Sequence, residues 1–166
     1  MTLIFDLDGT LFQAKPVVAI AGTDASVPGY IERLKEALCE CGELFPGTSK
    51  MLSQLYYAGH KLVICSKSPP EYIDLVLEYT EISGYFTGQY SSEGYASKTG
   101  LIKEIIEPGE QAIIIGDPHG DITAAIENGL PSIAAMYGYG NKSMLAGADF
   151  FAKTTEEIAR HLEQQG

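Results

Sequence analysis

The sequence predicts a single α/β domain: an open, mostly parallel sheet held between two helical layers in a three-layer α/β/α arrangement. Three observations carry this. Short aliphatic runs at residues 3–5, 61–65 and 111–115 lack the polar alternation of a half-exposed strand, so they read as strands buried on both faces. Between them lie segments whose apolar residues recur every three to four positions, the period of a helix with one buried face. Strands and helices alternate along the whole chain without repeat, linker or low-complexity stretch, an order that right-handed crossovers convert into a parallel sheet. At 166 residues, the span 1–166 suits one domain with a substantial core and is short for two.

The elements follow in order. After the strand at 3–5, residues 11–27 carry Pro16, Gly22 and several small side chains, and 17–21 is expected to be a short strand of a hairpin. Residues 28–41 read as a helix, with Pro28 in the first turn, an apolar stripe of Ile31, Leu34, Leu38 and Cys41, and Gly42 at the end. Pro46-Gly47-Thr48 opens another helix that runs to Ala58 with Met51, Leu52, Leu55 and Tyr56 turned inward. The strand at 61–65 leads into Ser66-Lys67-Ser68-Pro69-Pro70 and a helix over 70–81 carrying Ile73, Val76, Leu77 and Tyr79. Residues 84–95 read as a loop in which Phe86 and Tyr90 anchor a short strand. Ser97 is placed to cap a helix that holds Leu101, Ile102, Ile105 and Ile106 and stops before Pro108. The strand at 111–115 is followed by a helix at 122–128, a strand at 131–136, a short helix at 142–146 and a strand at 149–152. Thr154 or Thr155 caps a last helix to about residue 164, with Glu156 and Glu157 suited to its dipole.

Composition narrows the function classes. A net charge of −11 argues against a nucleic-acid backbone or an anionic membrane surface as partner. Cys39 and Cys41 are separated by one residue rather than the two of a zinc or redox pair, so with Cys65 they read as reduced packing thiols. The chain opens on a strand with acidic residues, not on a basic stretch before an apolar one, and no apolar run reaches membrane-spanning length. The expectation is a soluble, cytoplasmic protein.

The most telling stretch is Leu3-Ile4-Phe5-Asp6-Leu7-Asp8-Gly9-Thr10. On an extended backbone positions i and i+2 point the same way, so Asp6 and Asp8 can converge on one small volume while Gly9 turns the chain. Two carboxylates this close repel unless a cation or a proton separates them, which asks for a divalent metal. The polar clusters at 6–10, 66–68 and 117–121 each follow a strand, and in an open parallel sheet the carboxyl ends of the strands meet at one edge, where ligands bind.

A strand-terminal Asp-x-Asp-Gly-Thr, a strand ending in Ser66, an isolated Lys98 and a strand ending in Gly116-Asp117 with Asp121 four residues on resemble, in this order, the haloacid dehalogenase (HAD) superfamily of phosphatases, phosphoglycolate-phosphatase-like branch. The resemblance implies a Rossmann-like HAD fold and a Mg²⁺-dependent hydrolase of small phosphate monoesters working through an aspartyl phosphate. It makes Asp6 the nucleophile and Asp8 the general acid and base. Ser66 and Lys98, with Lys67 and the Leu7 and Asp8 amides, become the phosphate-binding groups. Asp6, Asp117 and the Asp8 carbonyl become metal ligands, and Asp121 acts through water or orients Lys98. Hard oxygen donors suit Mg²⁺, and a cation with local amides would reverse the negative field that the net charge imposes on a phosphate. His119 and Tyr137-Gly138-Tyr139-Gly140 could border the pocket, while His60 and His161 read as solvent-facing. Two departures stand out. Thr99 follows the lysine where the family has Pro, and residues 13–45 form a reduced insert in place of a full cap domain. The stripe Ile31, Leu34, Leu38 then needs the main domain or another subunit to cover it, which leaves a homo-oligomer open. The alternatives are a phosphomutase, or a HAD-fold binding or regulatory domain with weak turnover.

Overall fold

The computed structural model describes residues 1–117, 119–141, 143 and 146–165. Among these, β1 (Thr2–Phe5), β2 (Lys61–Ser66), β3 (Phe86–Ser91), β4 (Ala112–Gly116), β5 (Ser132–Ala135) and β6 (Phe150–Ala152) form one sheet in the order β3-β2-β1-β4-β5-β6. Every pairing is parallel, and β1 is gripped on both sides, with Phe5 opposite Ile64 and Ile115. Among the described residues seven α-helices surround the sheet: α1 (Ala14–Ala21), α2 (Tyr30–Cys41), α3 (Thr48–Tyr57), α4 (Pro70–Tyr79), α5 (Lys98–Ile105), α6 (His119–Asn128) and α7 (Thr155–Glu163). Side chains of β1 alternate between two cores. Leu3 and Phe5 face the larger one, shared with α1, α2, α3, α4 and α7, whereas Ile4 turns toward Leu101, Ile102 and Ala124 under α5 and α6. The chain runs outward from β1 to β3, then returns to the other side of β1 for β4 to β6. That reversal opens a crevice at the carboxyl ends of β1 and β4.

Several elements differ from the sequence reading. Residues 17–21 are helical, not a strand. Val17, Val18 and Ile20 favour an extended chain by themselves, but Ala14, Val17 and Ala21 lie at helical spacing and are the buried face of α1. Packing of α1 against α2 decides the matter. Pro16 is tolerated because it sits in the first turn, where the missing N–H has no intrahelical partner. Helix α2 begins at Tyr30 rather than at Pro28, since Gly29 holds a left-handed φ of 78° and Pro28 stands outside the helix. Tyr56 is exposed, not inward, and leans its edge on Tyr57 and Tyr85 instead. The short strand expected around Phe86 and Tyr90 within 84–95 is present as β3, an edge strand. Thr154 does cap α7, accepting from the Glu157 amide, whereas Ser97 precedes α5 without a side-chain cap bond. The helix read at 142–146 involves Lys142, Met144 and Leu145, which lie outside the described residues.

Residues 13–45, read from the sequence as an insert, begin and end side by side, where the Gln13 amide bonds to Glu43 O and the Phe45 amide to Leu11 O, each at 2.9 Å. Its apolar stripe is covered within the chain: Leu34, Ala37 and Leu38 are buried, and α2 packs on α1 and on α4 of the sheet domain. Among the described residues no helix is long and apolar enough to cross a membrane.

Candidate active site

Strand β1 delivers Asp6 to the crevice, with the Asp6 amide bonding to Ile115 O at 2.9 Å. The next residues fold back tightly: Thr10, Leu11 and Phe12 amides all donate to Leu7 O, and Gly9 turns with φ 82°. Side chains are excluded here by neighbours as well as by backbone angle. A Cβ on Gly9 would sit 2.5 Å from Asp117 Oδ2, and one on Gly138 would sit 2.1 Å from Gly9 O. Thus the loops after β1, β4 and β5 close on Asp117 only because two of the contact points are glycine.

At the centre lies Lys98 at the start of α5, 2% exposed, its Nζ 2.6 Å from Asp6 Oδ1 and 2.6 Å from Asp121 Oδ1. Burial pulls its pKa down, but the charges of Asp121 and Asp6 outweigh that and hold it above the ordinary lysine value. Asp6, Asp117 and Asp121 each place a carboxylate oxygen within 4.8 Å of the others. Asp117 Oδ2 accepts from the Tyr139 amide at 2.7 Å, while Asp117 Oδ1 and Asp121 Oδ2 are buried without a hydrogen-bond partner. Burial pushes Asp117 up to about 7 and Asp121 up to about 8, with the Asp6 charge adding to both and Lys98 opposing it at Asp121. Three buried carboxylates with two idle oxygens and one lysine are short of positive charge, and the all-oxygen donor set fits a divalent cation such as Mg²⁺.

A pH dependence follows. These carboxyls have folded pKa values of about 7 and about 8 against an ordinary 3.8, so the folded state holds more protons between those limits. The stability of the neutral forms is complete below the unfolded value and is lost as pH rises through the folded one. In EDTA the melting temperature is therefore expected to fall from about pH 5 to about pH 8.5, more steeply than in Asp121→Asn, and Mg²⁺ is expected to restore most at the alkaline end. A melting temperature in EDTA that rises with pH would contradict this.

Asp8 stands apart from the other acids. Its Oδ1 accepts from Tyr72 OH and its Oδ2 from Ser68 Oγ, both at 2.8 Å, so the side chain is held toward α4 rather than converging with the other three acids. Burial raises its pKa to about 6, and the two hydroxyl donors restrain the rise. Ser66 is buried at the end of β2, where its Oγ accepts from the Ser68 amide at 3.2 Å. Lys67 is exposed, and its ammonium lies 3.3 Å from where a Cβ on Gly120 would be. Because β1 lies between β2 and β4, Lys67 reaches over the end of β1. Leu7 is fully buried.

The structure thus gathers Asp6, Lys98, Asp117 and Asp121 and sets Asp8, Ser66 and Lys67 around them. Sequence reasoning missed Ser68, Tyr72 and the Tyr139 amide. Ser68 stood in view two residues beyond Ser66; Tyr72 resembled any other core aromatic on a helix. Tyr139 also accepts at its hydroxyl from the Lys15 amide, and Tyr137 OH donates to Thr10 O at 2.8 Å, which ties this turn to the insert and to the loop after β1. Neither remaining histidine simply faces solvent. His60 is half-buried, and His161 stacks on Phe150 with centroids 3.9 Å apart. The side chain of His119 lies outside the described residues. Of the cysteines, all free, Cys65 is buried but Cys39 is exposed, so it is no packing thiol.

Residues 18–135 match the family described as haloacid dehalogenase-like hydrolase. A phosphoglycolate phosphatase from Synechococcus elongatus is 24% identical, with 98% of this chain and 97% of the relative covered. Another from Vibrio cholerae is 26% identical, with 89% of each covered. Among solved structures, a haloacid dehalogenase-like hydrolase from Streptococcus pneumoniae shares the fold with a TM-score of 0.78 at 23% identity and 97% coverage of both chains. The family match spans most of the chain, and the chain belongs to the haloacid dehalogenase-like hydrolase family.

Proposed function

We propose that the chain is a Mg²⁺-dependent phosphatase that hydrolyses a small phosphate monoester through an aspartyl phosphate on Asp6. The single observation that carries this is the buried Lys98 bound to both Asp6 and Asp121, beside carboxylate oxygens with no partner. Such a cluster is costly to bury and has value where phosphoryl charge must be held in line. Relatives named phosphoglycolate phosphatase support a small ester as substrate.

In this reading Asp6, Asp117 and Asp121, with the Asp8 carbonyl, would hold Mg²⁺, which when bound would supply positive charge to the transferring phosphoryl group. Lys98, Ser66, Lys67 and the Leu7 and Asp8 amides bind the remaining equatorial oxygens. A carboxylate oxygen of Asp6 bonds to phosphorus as the ester P–O bond breaks, and Asp8 gives its proton to the departing alkoxide. Asp8 then takes a proton from water as that water attacks phosphorus, and the Asp6–phosphorus bond breaks to release inorganic phosphate. Ser68 and Tyr72 hold Asp8 in place for both transfers. Residues 13–45 serve as a reduced cap over this side of the crevice. The free cysteines support a reducing, cytoplasmic setting.

The test is turnover of p-nitrophenyl phosphate. Steady hydrolysis with Mg²⁺ that is abolished by EDTA is the expected result; no turnover with Mg²⁺, or full turnover in EDTA, would overturn the proposal.

A further inference from the structure

Beside Asp8 a pocket of about 240 Å³ opens between the insert and the sheet domain. The insert supplies Val18, Thr23 and Tyr30, and the core supplies Tyr72 and Glu93. With Asp8 as the proton donor, this is the space the leaving alcohol enters, large enough for a short alcohol and little more. Its chemistry is uneven. Tyr30 is only 2% exposed yet lines the pocket, and its hydroxyl has no hydrogen-bond partner among the described residues. After burial, the charges of Asp8, Glu71 and Glu93 raise the pKa of that phenol, so three carboxylates bear on one hydroxyl. The Glu93 carboxylate has no ion-pair partner among the described residues.

The nearby cations are engaged elsewhere. The Lys15 ammonium sits 4.4 Å from the centroid of the Tyr139 ring. Lys67 borders the pocket, but its ammonium is at Gly120, in the first turn of α6 and on the phosphate side. A leaving group bearing a carboxylate would face the Glu93 carboxylate with no cation committed to it, since Asp8 is protonated and neutral when it serves as the acid. An ammonium would meet Glu93, could donate to the idle Tyr30 hydroxyl, and would lie among tyrosine rings that attract cations.

We infer that this pocket takes a leaving alcohol that carries a positive charge, making amino-alcohol phosphate monoesters the preferred substrate class over carboxylate-bearing esters. This rests on the phosphatase reading above. The chemistry is unchanged: the P–O bond to the amino alcohol breaks, Asp8 protonates its oxygen, and the ammonium keeps its charge throughout.

The experiment compares kcat/KM for O-phosphoethanolamine, 2-phosphoglycolate and p-nitrophenyl phosphate with Mg²⁺, in the native chain, Glu93→Gln and Glu93→Lys. Phosphoethanolamine should exceed phosphoglycolate by about tenfold or more in the native chain, since attraction and repulsion act together. Glu93→Gln should raise KM for phosphoethanolamine about fivefold, the scale of one exposed charge pair, and Glu93→Lys should narrow or reverse the preference. Phosphoglycolate turned over as well as phosphoethanolamine, or better, while the aryl ester is hydrolysed, would overturn this inference alone. A preference unmoved by both Glu93 variants would do the same. No turnover of any ester would overturn the phosphatase reading and this inference with it.

Discussion

Replacing Asp6 with Asn is expected to lower turnover by on the order of 10⁴-fold or more, because the attacking carboxylate oxygen is gone and only binding and positioning remain. The volume change is negligible and Lys98 keeps an oxygen to bond, so the fold should persist, with a melting temperature near that of the native chain. Asp8→Asn is expected to behave differently. Asp6 can still be phosphorylated slowly by an ester with a good leaving group, which needs little acid assistance, but water finds no base and the covalent form accumulates. The two variants should therefore both be slow yet separate in a burst experiment: none from Asp6→Asn, and a stoichiometric burst of p-nitrophenol followed by a stall from Asp8→Asn. A burst from Asp6→Asn would reverse the assignment of roles.

Lys98→Met should have the largest effect on stability. The native lysine is buried with Asp6 and Asp121, both at 2.6 Å. Removing one partner of a buried pair leaves the other charges uncompensated, a loss of roughly 3–5 kcal/mol in urea denaturation measured in EDTA. Proton uptake relieves part of this, since burial holds Asp121 near a pKa of about 8 even with the lysine present. The loss should therefore be greater at about pH 8.5 than at about pH 6. A loss under about 1 kcal/mol at both would mean that the lysine is not the charge that makes this cluster foldable.

The placement of Asp6, Ser66 and Asp117 was legible in the sequence because each directly follows or ends a buried strand, and parallel strands leave no freedom about which edge their carboxyl ends share. Lys98 was harder; only its place in the order of motifs marked it, since a lysine opening a helix is ordinarily solvated. Helix α1 was misread because Val17, Val18 and Ile20 favour strand locally, and what overrides them is tertiary packing against α2, the next element in the chain, which local propensity does not register. The position of Asp8 could not be read from its spacing. Alternation on a strand brings it beside Asp6 only while the backbone stays extended, and Gly9 with the Leu7 carbonyl folds it within one residue. The hydroxyls that then hold it come from Ser68 and Tyr72, 60 and 64 residues away. The turn at 137–140 was legible as a border of the pocket, but its bond to Asp117 was not, since that bond comes from the Tyr139 backbone amide, which any residue there but proline would supply.

The measurement that bears most directly on the central claim is the identity of the phosphorylated residue. The protein is mixed with labelled p-nitrophenyl phosphate and Mg²⁺, quenched in acid within one turnover, digested and sequenced by mass spectrometry. The label is predicted on Asp6, absent in Asp6→Asn and strongest in Asp8→Asn. Label on Ser66 or Asp8, or release of phosphate with no protein-bound label in Asp8→Asn, would contradict the account.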